Sequence, residues 1–189
     1  LLKILDHYKK AQRFRDQQAV AHWGLRSENT LEIDELYNKT ALILGTGSIG
    51  MEIAKRLQVF GVSLIGVNTT GKEVAHFDKT VSIENLNLVL KKADIVVGCL
   101  PLTESTHGIY NYDFFSEMKS DAIFINVGRG SQLNEEDLLK VLETHLAHVY
   151  LDVLPKEPLA SDSKLWSHKK VSITPHISSS SIYIRERMN

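Results

Sequence analysis

Cysteine is nearly absent: Cys99 stands alone among 189 residues, which excludes an intrachain disulfide. Its neighbours Val96, Val97 and Leu100 mark the thiol as a core side chain rather than a reactive one. No apolar run is long enough to cross a bilayer, and no basic segment leads into an apolar one in the manner of a signal peptide. An excess of charge is also missing, with 22 Lys and Arg against 23 Asp and Glu and a formal charge of -1. That balance offers nothing to a nucleic acid or an anionic membrane, so neither partner is expected. The eight histidines are scattered. His145 and His148 lie three apart but have no acids or cysteines to complete a site, and no metal is expected. There is no internal repeat, and Ser178 to Ser181 is too short for a linker. A reducing cytoplasm is the expected compartment. An initiator methionine is lacking too, and Arg185 to Asn189 reads as mid-helix, so a piece of a longer chain is expected.

What is present centres on one stretch. Ala41-Leu42-Ile43-Leu44 runs into Gly45-Thr46-Gly47-Ser48-Ile49-Gly50, and Ile53, Ala54, Leu57 and Phe60 follow at helical spacing. That is a strand, a tight turn and a helix. Gly45 permits the turn, Gly47 lets a pyrophosphate approach the backbone, and Gly50 lets the helix pack closely on the strand. The phosphates rest on the N–H groups and positive dipole of the helix opening near Ser48 and Ile49.

Around this unit, apolar or aromatic residues at Leu5, Tyr8, Ala11, Phe14, Ala19 and Trp23 predict an amphipathic helix over Leu2 to Trp23. Gly24 to Lys39 reads as irregular, with a short strand near Leu31 to Ile33. Strands are predicted at 62–67, 93–100, 122–127, 149–151 and 171–173. Helices are predicted at 83–90, 112–118 and 134–142, the last opened by Glu135-Glu136-Asp137, and 68–80 is read as loop. Alternating strands and helices, with strands apolar on both faces, define a doubly wound parallel α/β sheet.

In such a sheet an acid at the end of the second strand accepts hydrogen bonds from the ribose of NAD. Here that position is Asn68, followed by Thr69, Thr70, Gly71 and Lys72. Removing the carboxylate and adding hydroxyls and a cation tolerates a 2′-phosphate, so the sequence leans to NADP(H) over NAD. The alternative is a solvated Lys72, with Asn68 on the ribose hydroxyls of NAD. No arginine stands nearby to clamp a phosphate.

Three later segments fall at strand ends: Asn126-Val127-Gly128-Arg129-Gly130, Leu151-Asp152 through Glu157-Pro158, and Thr174-Pro175-His176-Ile177-Ser178. With the glycine turn and Leu100-Pro101-Leu102-Thr103 followed by Thr106, this ordered set resembles the D-isomer-specific 2-hydroxyacid dehydrogenases. The resemblance runs almost end to end. It implies a Rossmann-type cofactor domain at 25–189, a hinge helix at 1–24 and an NAD(P)-dependent oxidoreductase acting on a small 2-oxo acid. It makes Arg129 the substrate clamp, Glu157 the partner carboxylate and His176 the proton donor, since carbonyl reduction needs a proton as well as a hydride. A carboxylate beside the imidazole favours its charged form. Asp152 matches the position that holds the nicotinamide carboxamide, and Leu100, Pro101, Thr106, Val127, Gly128 and Ser178 complete the cofactor contacts. The family dimerises through this domain, so a homodimer is expected. Its corepressor members suggest an alternative, a dinucleotide-sensing interaction module. The departures are Asn68 and Gly128 in place of the usual alanine, and the family's substrate domain is expected to lie outside this sequence.

Overall fold

The computed structural model describes residues 1–25, 27 and 33–183. Residues 31 and 32 of the expected short strand, and the helix-like 185–189, lie outside them.

The chain opens with α1 (Leu2–Lys9), which buries Ile4 and Tyr8 four residues apart on one face. Lys10 then adopts a left-handed conformation, φ 52°, and ends it. A second helix, α2 (Ala11–Ala19), follows with no buried residue. The single helix expected over Leu2 to Trp23 is therefore two. Ala11 and Phe14 do not continue the buried stripe of Ile4 and Tyr8, since the chain turns at Lys10. Trp23 lies beyond α2 and is 95% exposed. An ion pair, Arg15 Nη2 to Asp6 at 3.0 Å, ties the two helices together.

Then come β1 (Thr40–Leu44), α3 (Ser48–Gln58), β2 (Ser63–Asn68), β3 (Lys79–Ser82), α4 (Leu86–Leu90), β4 (Ile95–Gly98), α5 (Tyr112–Ser116), β5 (Ile123–Asn126), α6 (Glu135–Leu142), β6 (His148–Leu151) and β7 (Val171–Ile173). The sheet order is β3-β2-β1-β4-β5-β6-β7, with every pairing parallel. This is the expected doubly wound sheet, and the order reverses between β1 and β4. The expected loop at 68–80 runs into β3, whose Lys79-Thr80-Val81-Ser82 is half-exposed at the sheet edge. A strand that buries so little carries almost no apolar signal. Phe60, expected on the helix face, lies past the end of α3 and is partly exposed.

Strand side chains alternate between two cores. Leu42, Leu44, Val96, Phe124, Val149 and Leu151 face α4, α5 and α6, while Ala41, Ile43, Ile95, Val97, Ile123 and Tyr150 face α1 and α3. His7 helps seat α1 on β6, its Nδ1 3.3 Å from Tyr150 Oη, while His148 Nε2 meets Ser172 Oγ of β7 at 2.9 Å. Burial first, then Lys10 beside His7 and Lys3 and Lys10 beside His148, lowers both histidines to about 4. Among the described residues no helix is long and apolar enough to cross a membrane.

Because every strand runs the same way, all the loops leaving strand carboxyl ends gather on one edge of the sheet. The candidate residues stand on that edge.

Candidate active site

The turn after β1 is built on backbone crowding. Gly45 has φ 105°, and a Cβ there would lie 2.7 Å from the Cys99 carbonyl oxygen; a Cβ on Gly50 would lie 1.9 Å from the Gly45 oxygen. Gly47 is different, since a Cβ there meets nothing within 4 Å. It caps α3 with no side-chain acceptor over the first turn, so the helix presents unshielded N–H groups to open space. Ile49 is exposed beside them. This geometry fits a pyrophosphate. Cys99 packs behind the turn, its thiol donating to the Gly45 oxygen at 3.2 Å. Burial pushes that thiol up to about 12, consistent with an inert core residue.

The amide of Asn68 is spent on its own loop. Its Nδ2 donates to Thr46 Oγ1 at 3.2 Å and to the Lys72 oxygen at 2.9 Å, while its Oδ1 accepts from the N–H groups of Thr70 and Gly71 at 3.1 and 2.7 Å. All of its ordinary hydrogen-bonding capacity is in use. Asn68 thus shapes the 69–72 loop and links it to the glycine turn through Thr46; Thr69, Thr70 and Lys72 form the rim.

After β4, Thr106 folds the loop back on itself. Its hydroxyl donates to the Pro101 oxygen at 2.7 Å and accepts from Thr103 N–H at 2.8 Å. Leu100 is buried, while Pro101 and Leu102 face outward. The turn after β5 is held by two fully buried amides, Asn126 and Gln132. Asn126 accepts from Gly128 N–H at 3.0 Å and donates to the Arg129 oxygen at 3.4 Å. Gln132 accepts from Arg129 N–H at 3.1 Å. The exposed Arg129 guanidinium contacts the Gly128 oxygen at 2.8 Å. Gln132 escaped the sequence reading because a buried glutamine and a surface one look alike in a sequence; its only signal is its place three residues after Arg129.

At the ends of β6 and β7, Asp152 organises the loop carrying the histidine. Its carboxylate accepts from Thr174 Oγ1 at 2.5 Å, Ile177 N–H at 3.0 Å and Ser178 N–H at 2.9 Å. Burial works to raise its pKa, but hydrogen bonds from Ser178, Thr174 and Ile177 hold it below the usual range. His176 N–H donates to the Asp152 backbone oxygen at 2.8 Å. His176 itself has φ 52°, a conformation that favours glycine and that persists where neighbours enforce it. Its Nδ1 meets Glu157 Oε2 at 2.8 Å. Glu157 Oε1 accepts from Leu154 N–H at 2.9 Å. That bond and the histidine keep Glu157 below the ordinary carboxylate range. A cavity of about 640 Å³ opens beside the pair, with Leu159, Trp166 and Pro175 in its wall.

The structure therefore joins Glu157 and His176 directly. Arg129 reaches them through backbone: a Cβ on its neighbour Gly130 would lie 1.8 Å from the Leu154 oxygen, and Leu154 holds Glu157. Among the described residues no group of three or more His, Cys, Asp or Glu is placed to hold a metal ion.

Fold and site together define a dinucleotide-binding domain of the Rossmann type, with an arginine and a Glu–His pair at its strand ends. The chain belongs to the D-isomer specific 2-hydroxyacid dehydrogenases, since the sequence model of that family's NAD binding domain matches residues 1–178. Among similar proteins is a glyoxylate/hydroxypyruvate reductase A of Yersinia enterocolitica, 32% identical over 175 residues, which are 92% of this chain and 54% of the relative. A solved D-isomer specific 2-hydroxyacid dehydrogenase family protein from Aeromonas salmonicida superposes with a TM-score of 0.86 at 39% identity, over 92% of this chain and 55% of that one. An NADPH-dependent glyoxylate/hydroxypyruvate reductase from Sinorhizobium meliloti, solved with NADP and sulfate, gives 0.84 at 30% identity, over 95% of this chain and 57% of that one. The chain spans about half the length of the relatives it matches.

Proposed function

We propose that this chain is the cofactor domain of an NAD(P)-dependent reductase of small 2-oxo acids, the reverse reaction being oxidation of a D-2-hydroxy acid. The observation that carries the reading is the 2.8 Å contact between His176 Nδ1 and Glu157, on the same sheet edge as the open Gly47 turn. When bound, a nicotinamide cofactor supplies a hydride to the carbonyl carbon. Gly45, Gly47, Ser48, Ile49 and Gly50 hold its pyrophosphate, and Leu100, Pro101, Val127 and Gly128 form the wall at its reactive end. With Nδ1 committed to Glu157, His176 presents Nε2 as proton donor to the substrate oxygen, and the ionised Glu157 fixes the ring. Arg129 pairs with the substrate carboxylate, which sets the carbonyl's orientation. Asp152 acts by holding 174–178, and with it His176, in register. Groups that close the cleft over the substrate are assigned to the part of the relatives outside the matched half.

For the cofactor we favour NADP(H). The support is the missing acid at position 68 and the loop that Asn68 orders toward Thr69, Thr70 and Lys72; the Sinorhizobium structure holds NADP. The experiment follows NADH and NADPH oxidation separately, by full-length protein, with glyoxylate, hydroxypyruvate and longer 2-oxo acids. Oxidation of NADPH with one of them is expected, and no oxidation of either cofactor with any of them sinks the reading. Asn68→Asp removes both donors and sets a carboxylate against a 2′-phosphate, so the kcat/KM ratio should move toward NADH by about tenfold or more, roughly 1.4 kcal/mol. An unmoved ratio overturns the cofactor assignment. A homodimer through α1 and α2, with the exposed Val20 and Trp23 on its surface, belongs to the same reading. Sedimentation at micromolar concentration should give a dimer; a monomer alone contradicts it. The protein is placed in the cytoplasm on the same reading.

A further inference from the structure

Gln132 lies outside the groups assigned above, yet it is fully buried and every polar atom of its side chain is engaged. Oε1 accepts from Arg129 N–H at 3.1 Å; Nε2 donates to the Leu100 oxygen at 3.3 Å and to the Pro101 oxygen at 3.1 Å. A primary amide is costly to bury unless all such bonds form, and an apolar side chain would fill the space without that demand. The three bonds have a particular distribution. One reaches the turn that carries Arg129; two reach the loop after β4 that Thr106 folds from the other side. Gly128 supplies the room, since a Cβ there would lie 2.9 Å from Gln132 Oε1 and 3.2 Å from the Leu100 oxygen.

We propose that Gln132 is a positioning residue that locks the Arg129 turn to the Leu100–Pro101 loop, so that the wall of the cofactor site and the substrate clamp are set by one buried amide. The proposal deepens the reductase reading and rests on it for the role of Arg129. The other bonds of Arg129 stay within its own turn: its guanidinium leans on the Gly128 oxygen, and its carbonyl accepts from Asn126 and from the backbone N–H of Gln132. Without Gln132 its N–H loses its acceptor and the Leu100 and Pro101 carbonyls lose a donor, so both loops relax. Sub-ångström displacement of a clamp is enough to slow a reaction that depends on orientation.

The test is a double-mutant cycle of Gln132→Leu and Gly128→Ala in the full-length protein. It is read by NADPH and NADH titration and by steady-state kinetics well below the melting temperature. Gln132→Leu should weaken nucleotide binding by about tenfold and lower kcat/KM by more than that, because the clamp is released as well as the wall. Gly128→Ala should reproduce part of the loss by displacing the amide. The double variant should lose clearly less than the sum of the two single losses, since the amide oxygen that the new methyl would strike is gone and only its approach to the Leu100 oxygen remains. Strictly additive losses overturn the proposal. So does a Gln132→Leu protein that melts earlier but keeps binding and kinetics within about twofold of the parent, the signature of a merely structural residue. If Gln132→Leu fails to fold, Gly128→Ala alone decides, and unchanged kinetics in it count against the lock. A parent protein that reduces no 2-oxo acid, while Gln132→Leu still weakens nucleotide binding, sinks the reductase reading and leaves the lock standing.

Discussion

His176→Ala is expected to lower kcat for 2-oxo acid reduction by about 10²- to 10⁴-fold, or roughly 3–5 kcal/mol of transition-state stabilisation. The reason is local. Nδ1 is bound to Glu157 at 2.8 Å and Glu157 is held in turn by Leu154 N–H, so Nε2 is the one ring nitrogen left to give a proton. Removing the ring removes the donor and leaves the glycine turn untouched. Cofactor affinity should therefore stay within about threefold of the parent, under 1 kcal/mol. The left-handed backbone of residue 176 strains alanine much as it strains histidine, so the loss cannot be blamed on backbone relief. Stopped-flow measurement of reductant oxidation with a titration of the cofactor separates the two effects. A His176→Ala enzyme at the parent rate would remove the proton-donor assignment.

The second large effect is expected at Gly47. Most glycines of the turn cannot report on cofactor binding alone: a methyl on Gly50 strikes the Gly45 oxygen, and Gly45 has a φ that side chains rarely adopt. Gly47 has neither restriction, with φ -71° and open space where its Cβ would go. Gly47→Val should therefore leave the melting temperature within a few degrees. It fills the volume through which a pyrophosphate reaches the first turn of α3, so the Kd for both NADH and NADPH should rise by about 100-fold or more, roughly 2.7 kcal/mol. Titration by cofactor fluorescence reads the first quantity and a thermal melt the second. A stable Gly47→Val protein that binds as well as the parent would place the dinucleotide elsewhere.

Much of the architecture was legible because buried parallel strands announce themselves. Ile95-Val96-Val97 and Ile123-Phe124-Ile125 are apolar on both faces because both faces are covered. The half-exposed edge strand Lys79–Ser82 and the break at Lys10 were not legible, the first for want of burial and the second because nothing in Lys10 marks a left-handed residue. At the site, the pairing of Glu157 with His176 is what the family resemblance implies, and the structure brings those side chains to 2.8 Å. The supporting roles were harder to see. Asn68, Thr106 and Asp152 were expected to face the cofactor; in the structure their polar atoms are bonded to the loops that carry the site. Gln132 was missed altogether. Short-range sequence pattern tells which strand end a residue follows, but hydrogen bonds between loops from different strands are fixed only by the tertiary fold.

The most direct test of the central claim is transfer of label. Full-length protein is incubated with NADPH carrying deuterium at both nicotinamide C4 positions and with glyoxylate, hydroxypyruvate or a longer 2-oxo acid, and the organic product is examined by mass spectrometry and chiral chromatography. Deuterium at C2 of a 2-hydroxy acid, in the D configuration where C2 is a stereocentre in unlabelled product, is the predicted result. Unlabelled product, or no 2-hydroxy acid with any of these acids in the presence of either NADPH or NADH, would contradict it.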